Sequence, residues 1–184
     1  MPAITRTYTI GIVVAALCAA AVAGCARDQS TPPPPVTSTP ATVAIPLTDS
    51  GPVAGQSPEA VAAGAMRELY TLVPGRESQG DSLRRITAWL SPAMRTRTEH
   101  LPAPPAASLQ WASWVEGGAR VEAATFVSAE RPPREQPGTA ARKVAVSQTV
   151  RWPDGRGEPL PPFSVAVTVV ETGNGWRVDD YRTW

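Results

Sequence analysis

The chain has 184 residues, which is enough for one domain of ordinary size. Its 17 basic and 16 acidic residues nearly cancel, so a broad nucleic-acid-binding surface, which needs a basic excess, is not expected. With two cysteines and one histidine, a cysteine/histidine zinc site, a disulfide framework and a redox pair are close to excluded.

The amino-terminal segment predicts export. Residues 10–23 carry no charge and are fewer than the about 20 that a transmembrane helix needs, which is typical of a signal-peptide core. The tetrapeptide Val-Ala-Gly-Cys that ends at Cys25 resembles the lipobox of bacterial lipoproteins. This resemblance implies cleavage between Gly24 and Cys25, acylation of Cys25 by chains such as palmitate, and attachment to the extracytoplasmic face of the cell membrane. The alternative is an ordinary membrane anchor with a coincidental cysteine.

The residues after the expected lipid attachment read as a tether. Seven prolines and many serines and threonines lie in 26–57, with no aromatic residue, so this stretch buries too little apolar surface to offset the entropy of ordering. In a polyproline conformation it reaches at most ~100 Å. We therefore divide the chain into a signal peptide (1–24), a lipidated cysteine with a disordered tether (25–56) and a folded domain (57–184).

The folded domain begins with helices. Ser57-Pro58 and Ser91-Pro92 each combine an N-cap with a proline at the first helical position, and a further helix is predicted to start near Ser78 or Asp81. After a proline-rich loop at 100–107, the hydrophobic period changes from about 3.6 to about 2 residues, which indicates strands. The predicted strands cover residues 108–115, 119–129, 142–152, 163–169 and 176–180.

This order predicts an α+β fold, with two or three amino-terminal helices packed on a curved, mainly antiparallel sheet of four to five strands. The order of the elements and the closing sequence Gly-Asn-Gly-Trp-Arg-Val-Asp-Asp-Tyr, residues 173–181, resemble the nuclear-transport-factor-2-like superfamily. The resemblance implies a cone-shaped domain over 57–184. It transfers no catalytic residues, because the superfamily has no common catalytic motif.

Four of the six tryptophans are candidates for a pocket in such a cone. These are Trp89, Trp111, Trp114 and Trp176. They either line an apolar pocket at the open end of the cone or fill it as core residues, because tryptophan is rarely left wholly exposed. On a strand at 108–115, Trp111 and Trp114 are expected on opposite faces.

Candidates for catalysis are few, and we expect no catalytic, metal or cofactor site. His100 lies beside prolines in a predicted loop, where histidines are usually solvated. Asp179 and Asp180 are adjacent on a strand, so they point to opposite faces and cannot act as a dyad. The enzymatic alternative is an isomerase-like or dehydratase-like pocket in which a buried Asp180 abstracts a proton, assisted by Tyr70 or Tyr181.

The arginine pairs Arg84-Arg85 and Arg95-Thr96-Arg97 are expected to form a solvated polar face, and the alternative is that they attract an anionic partner. The sequence therefore favours a non-catalytic lipoprotein whose domain binds or helps to assemble an envelope protein, since similar domains serve as assembly factors in secretion and conjugation machines. A carrier of a small apolar ligand in the cone and a pocket enzyme are the alternatives.

Overall fold

The computed structural model of the chain describes residues 51–102, 106–130 and 135–183; the expected signal peptide, Cys25, most of the tether and Trp184 lie outside them. The helices are α1 (Pro58–Tyr70), α2 (Asp81–Arg85), a short 3-10 helix (Thr87–Trp89), α3 (Pro92–Glu99) and α4 (Leu109–Glu116). The strands are β1 (Arg120–Val127), β2 (Thr139–Arg151), β3 (Gly157–Pro159), β4 (Phe163–Thr172) and β5 (Gly175–Thr183).

The five strands form one antiparallel sheet in the order β1-β2-β4-β5. The short strand β3 pairs with the carboxyl-terminal end of β2, on the same side of β2 as β4. Helices therefore come first and an antiparallel sheet follows, which confirms the predicted α+β class. The sequence analysis did not predict β3, which lies between the predicted strands at 142–152 and 163–169.

Three helices begin at a serine N-cap. The hydroxyl oxygens of Ser57, Ser91 and Ser108 each accept a hydrogen bond from the backbone N–H three residues later, at 3.3, 3.0 and 3.2 Å. These bonds satisfy donors that have no partner inside the helix. The first two caps confirm the helix starts that the serine–proline pairs predict.

The third cap explains why the expected strand at 108–115 is wrong. The segment forms α4, and Gly118 follows it with a φ of 61°. Eight residues are too few to separate a period of 2 from one of 3.6, so the cap at Ser108 is the stronger signal. In a helix, residues three apart share a face. Trp111 and Trp114 consequently lie side by side rather than on opposite faces of a strand, with ring centroids 6.4 Å apart.

The hydrophobic core lies between α1 and one face of the sheet, here called the core face; the opposite face is the outer face. Helix α1 contacts β1, β2, β4 and β5. Alternate residues of β1, β2, β4 and β5 supply the core face, as the predicted period of about 2 requires, whereas all three residues of β3 are exposed. Its buried members include Val121, Ala123, Val144, Val146, Val150, Val165, Val167, Val169 and Val178. Burial of a valine or leucine side chain contributes about 1.5–3 kcal/mol, so this face supplies much of the stability of the domain.

Candidate functional site

Trp89 and Trp176 belong to the main core. Trp89 is 5% exposed, and a Cβ atom on Gly64 of α1 would lie 2.6 Å from its ring, so the helix approaches the indole closely. Trp176 is partly buried against the same cluster. Both side chains therefore fill space between the helices and the core face.

Trp111 and Trp114 lie apart from that cluster, on α4. Trp114 packs on a smaller cluster formed by Ala119, Val121 and Val150, together with Trp152. Trp111 is 6% exposed and lines a groove of about 660 Å³ between α4 and residues 74–79. The four tryptophans are thus divided between two places, and the structure does not bring them together around one cavity.

A β-bulge decides where the two adjacent aspartates point. Val169 lies opposite Val178 and Thr168 lies opposite Asp180, so Asp179 is an extra residue in β5. An extra residue shifts the alternation of faces beyond it by one position. Tyr181 consequently packs on the core, whereas Asp180 lies on the outer face.

The placement of Asp180 does not suit a buried catalytic base. Its side chain is 44% exposed and forms an ion pair with Arg182 at 3.3 Å. Asp179 points toward the helices instead and accepts a hydrogen bond from the hydroxyl of Ser91 at 2.5 Å. Arg97 donates to the carbonyl oxygen of Asp179. The bulge therefore ties β5 to both ends of α3, which is a structural role that the sequence analysis missed.

The tyrosines proposed to assist Asp180 are both partly buried against the main core. Tyr70 packs edge-to-face against Phe163, with ring centroids 4.9 Å apart. Burial, with a smaller contribution from Tyr181, raises the pKa of Tyr70 to about 12. Burial, together with the nearby Asp180 charge, also raises the pKa of Tyr181. Both phenols therefore stay protonated at neutral pH.

The Arg84-Arg85 pair is split between solvent and the interior. Arg84 is 71% exposed and pairs with Asp81 at 2.5 Å, as expected for a solvated face. Arg85 is 12% exposed and lies between two carboxylates, with its Nη1 3.5 Å from Glu68 and its Nε 3.4 Å from Glu77. The expectation of a solvated face is therefore wrong for Arg85, which joins α1, α2 and the loop between them.

The single histidine sits at the surface. His100 is exposed, and its Nδ1 lies 2.7 Å from the carbonyl oxygen of Thr96, one turn earlier. Across the described ranges, no three histidine, cysteine or acidic side chains are grouped to hold a metal ion. A helix with the length and apolar character needed to span a bilayer is not found among the described residues either.

The outer face of the sheet carries the clearest exposed apolar feature on a strand. Phe126 of β1 is 67% exposed and lies opposite Ala145 of β2, which lies opposite Ser164 of β4. Ala124 and Ser147 form the neighbouring pair. An aromatic ring therefore stands on a surface of small uncharged side chains, an arrangement that the sequence analysis did not single out although the alternation of β1 contains it.

Ion pairs border this surface on two sides. Arg151 and Glu122 pair at 3.2 Å toward one end of the strands, and Lys143 and Glu130 pair at 3.0 Å toward the other. An apolar centre with an aromatic residue and a polar rim is the usual anatomy of a protein-binding surface. We call Phe126, Ala124, Ala145, Ser147 and Ser164 the outer-face patch, and it is the candidate functional site.

No protein-family model matches the chain, and no curated protein matches it in sequence. Solved structures with a similar fold include VirB8 of Agrobacterium tumefaciens, at 14% identity and a TM-score of 0.43, covering 73% of this chain and 96% of that one. An IcmL-like type IV secretion system protein of Legionella pneumophila has 14% identity and a TM-score of 0.47, covering 73% and 94%. CagV of Helicobacter pylori, a VirB8 homologue, has 12% identity and a TM-score of 0.41, covering 68% and 97%. At this level, the likeness assigns no function to the chain.

Proposed function

We propose that the chain is a lipid-anchored envelope protein whose domain binds a partner protein through the outer-face patch. The proposed anchor is Cys25, acylated after cleavage at Gly24, and residues 25–56 are the proposed tether. The observation that carries the proposal for the domain is the exposure of Phe126 on the edge strand β1, beside small uncharged side chains of β2 and β4. The role is non-catalytic, as an accessory or assembly module.

Leaving an aromatic ring such as that of Phe126 in water is unfavourable in free energy. One face of an antiparallel sheet commonly faces solvent, and its side chains are then mainly polar. Phe126 departs from that pattern, and the small side chains beside it leave room for a partner to reach its whole ring. Aromatic residues at the centre of an interface commonly contribute 2 kcal/mol or more when they are truncated.

The machine that the domain serves is a narrower proposal. Type IV secretion and conjugation machines are proposed because the closing sequence at 173–181 resembles a superfamily that supplies such assembly factors. Many of those factors are anchored by a transmembrane helix, whereas this chain is proposed to be held by lipid. The anchor leaves the domain free to move over the reach of the tether while it stays near the bilayer.

The test is site-specific photocrosslinking in the source cells. A photoreactive amino acid at Phe126 is expected to yield a discrete crosslinked species, and one at Leu109, which is 92% exposed on α4, is expected to yield none. Phe126→Asp is expected to abolish partner capture by a crosslinker placed at Ala145, whereas Leu109→Asp retains it. Equal crosslinking at Phe126 and Leu109, or full capture by the Phe126→Asp protein, contradicts the proposal.

A further inference from the structure

A second feature, remote from the outer-face patch, is a groove of about 490 Å³. It lies between α3 and the segment formed by α2 and the 3-10 helix. Its apolar lining comes from Leu83, Leu90, Leu101 and Pro102. Leu90 is fully buried, whereas Leu101 is 55% exposed. The groove has the volume of a small-molecule site, which is typically ~300–1,000 Å³.

One wall of the groove is cationic. Arg95 is half-buried there, and its Nε donates to the carbonyl oxygen of Leu90 at 3.1 Å, while its other guanidinium N–H groups have no hydrogen-bond partner among the described residues. Within the described ranges, no carboxylate lies within ion-pair distance of Arg95. The groove's other arginine, Arg84, is already paired with Asp81. Glu99 is the one acid among the described residues that line the groove.

A second cation lies near Arg95, although it is not among the described residues that line the groove. Arg177 of β5 is half-buried and has no carboxylate partner among the described residues, and its Nη1 donates to the carbonyl oxygen of Trp176 at 2.7 Å. Burial, followed by the positive charge of Arg95, lowers the pKa of Arg177. Two half-buried cations that repel each other are stabilised by an anion between or beside them.

We propose that this groove binds a single-chain amphiphilic anion, such as a fatty carboxylate, with its headgroup on Arg95 and its hydrocarbon chain against Leu83 and Leu101. The chemistry follows from the lining. A guanidinium with free N–H groups forms charge-assisted hydrogen bonds to a carboxylate. The leucines and Pro102 provide the surface that removes a hydrocarbon chain from water. This groove lies between helices and not between α1 and the core face, and the proposal is independent of the anchor at Cys25.

The experiment titrates the full chain with sodium dodecanoate below its micelle concentration. Heat of binding is expected to show one site per chain. Hydrogen exchange is expected to slow in the 3-10 helix and α3, which distinguishes the groove from any binding at the amino-terminal apolar stretch. Dodecanol, which lacks the charge, and acetate, which lacks the chain, are each expected to bind at least tenfold more weakly.

Substitutions test whether Arg95 is the cation that binds the carboxylate headgroup. Arg95→Gln is expected to weaken dodecanoate binding about tenfold, and Arg95→Lys to recover part of that loss because it keeps the charge. Leu101→Ser is expected to weaken it because its exposed apolar surface is lost. Arg182→Gln, a matched control on the outer face, is expected to change nothing.

Several results would overturn the proposal. These are equal affinity of the Arg95→Gln and Arg182→Gln proteins, equal affinity for dodecanol and dodecanoate, or unchanged exchange in α3. Binding to phosphatidylglycerol vesicles without binding to soluble dodecanoate would also overturn it, since a bilayer surface and not a single chain would then be the ligand. If Arg95→Gln melts at a lower temperature than the wild type, its weaker binding could come from lost structure. The affinity of Arg95→Lys for dodecanoate and the affinity of the wild type for dodecanol then test whether the charge is needed.

Discussion

The buried arginine between α1 and α2 offers the sharpest test of the packing argument. The side chains of Arg85, Glu68 and Glu77 are 12%, 10% and 12% exposed. Besides facing both carboxylates, Arg85 donates through Nη2 to the carbonyl oxygen of Thr71 at 2.5 Å. Replacing Arg85 with methionine keeps most of the side-chain volume but leaves Glu77 buried without its cation, and leaves Glu68 with only the half-exposed Arg67 at 3.5 Å. Breaking such a pair costs about 3–5 kcal/mol.

The neighbouring arginine is a matched control. Arg84→Met removes the same charge from a pair in which Arg84 is 71% exposed, and exposed pairs contribute about 0–1 kcal/mol. For a domain of this size, 1 kcal/mol moves the melting temperature by roughly 3–4 °C, so Arg85→Met is expected to lower it by about 10–20 °C and Arg84→Met by less than about 4 °C.

Thermal and urea unfolding followed by circular dichroism measure the difference. Adding Glu68→Gln and Glu77→Gln to Arg85→Met is expected to recover part of the stability, because the unpaired charges are then gone. If Arg85→Met costs no more than Arg84→Met, the two carboxylates are not held by Arg85 and the reasoning is refuted.

Three further predictions concern other contacts. Gly64→Ala places a methyl group 2.6 Å from the Trp89 ring, so it is expected to cost about 1–3 kcal/mol in urea unfolding; no loss would show that the helix can shift freely. Ser91→Ala removes the cap of α3 and the donor to Asp179, so a loss of about 1–2 kcal/mol is expected, and a neutral effect would contradict the role of the bulge. The raised pKa of Tyr70 means that its stabilising contribution is complete below its ordinary value of about 10 and is lost as pH rises through about 12. Tyr70→Phe is expected to remove that part of the alkaline loss of stability, and an unchanged slope would be inconsistent with burial of the phenol.

Short sequence patterns predicted most of the helix starts and the buried faces of the strands. Alternating valines fixed which face of β2 and β4 is buried, since Val144, Val146, Val165 and Val167 all lie on the core face. The serine–proline pairs located the starts of α1 and α3. These signals work because a strand period or a cap depends only on residues close in sequence.

The features that could not be predicted from the sequence depend on contacts between residues that are distant along the chain. Nothing in the residues around Asp179 predicts a bulge, because it requires the pairing of β5 with β4 and the approach of Ser91, 88 residues earlier. The burial of Arg85 likewise depends on Glu68 and Glu77 from other segments. The candidate site was missed for a different reason: Phe126 is unremarkable in a strand until the structure shows which face remains uncovered.

The anchor is tested most directly by the mass of the native amino-terminal peptide. Protein extracted from the membrane of the source cells is digested and examined by mass spectrometry. We predict a peptide that begins at Cys25 and carries a diacylglyceryl group, and a Cys25→Ser protein that keeps residues 1–24. A native peptide with an unmodified Cys25 still joined to Gly24 would contradict the proposal that lipid holds this domain at the membrane.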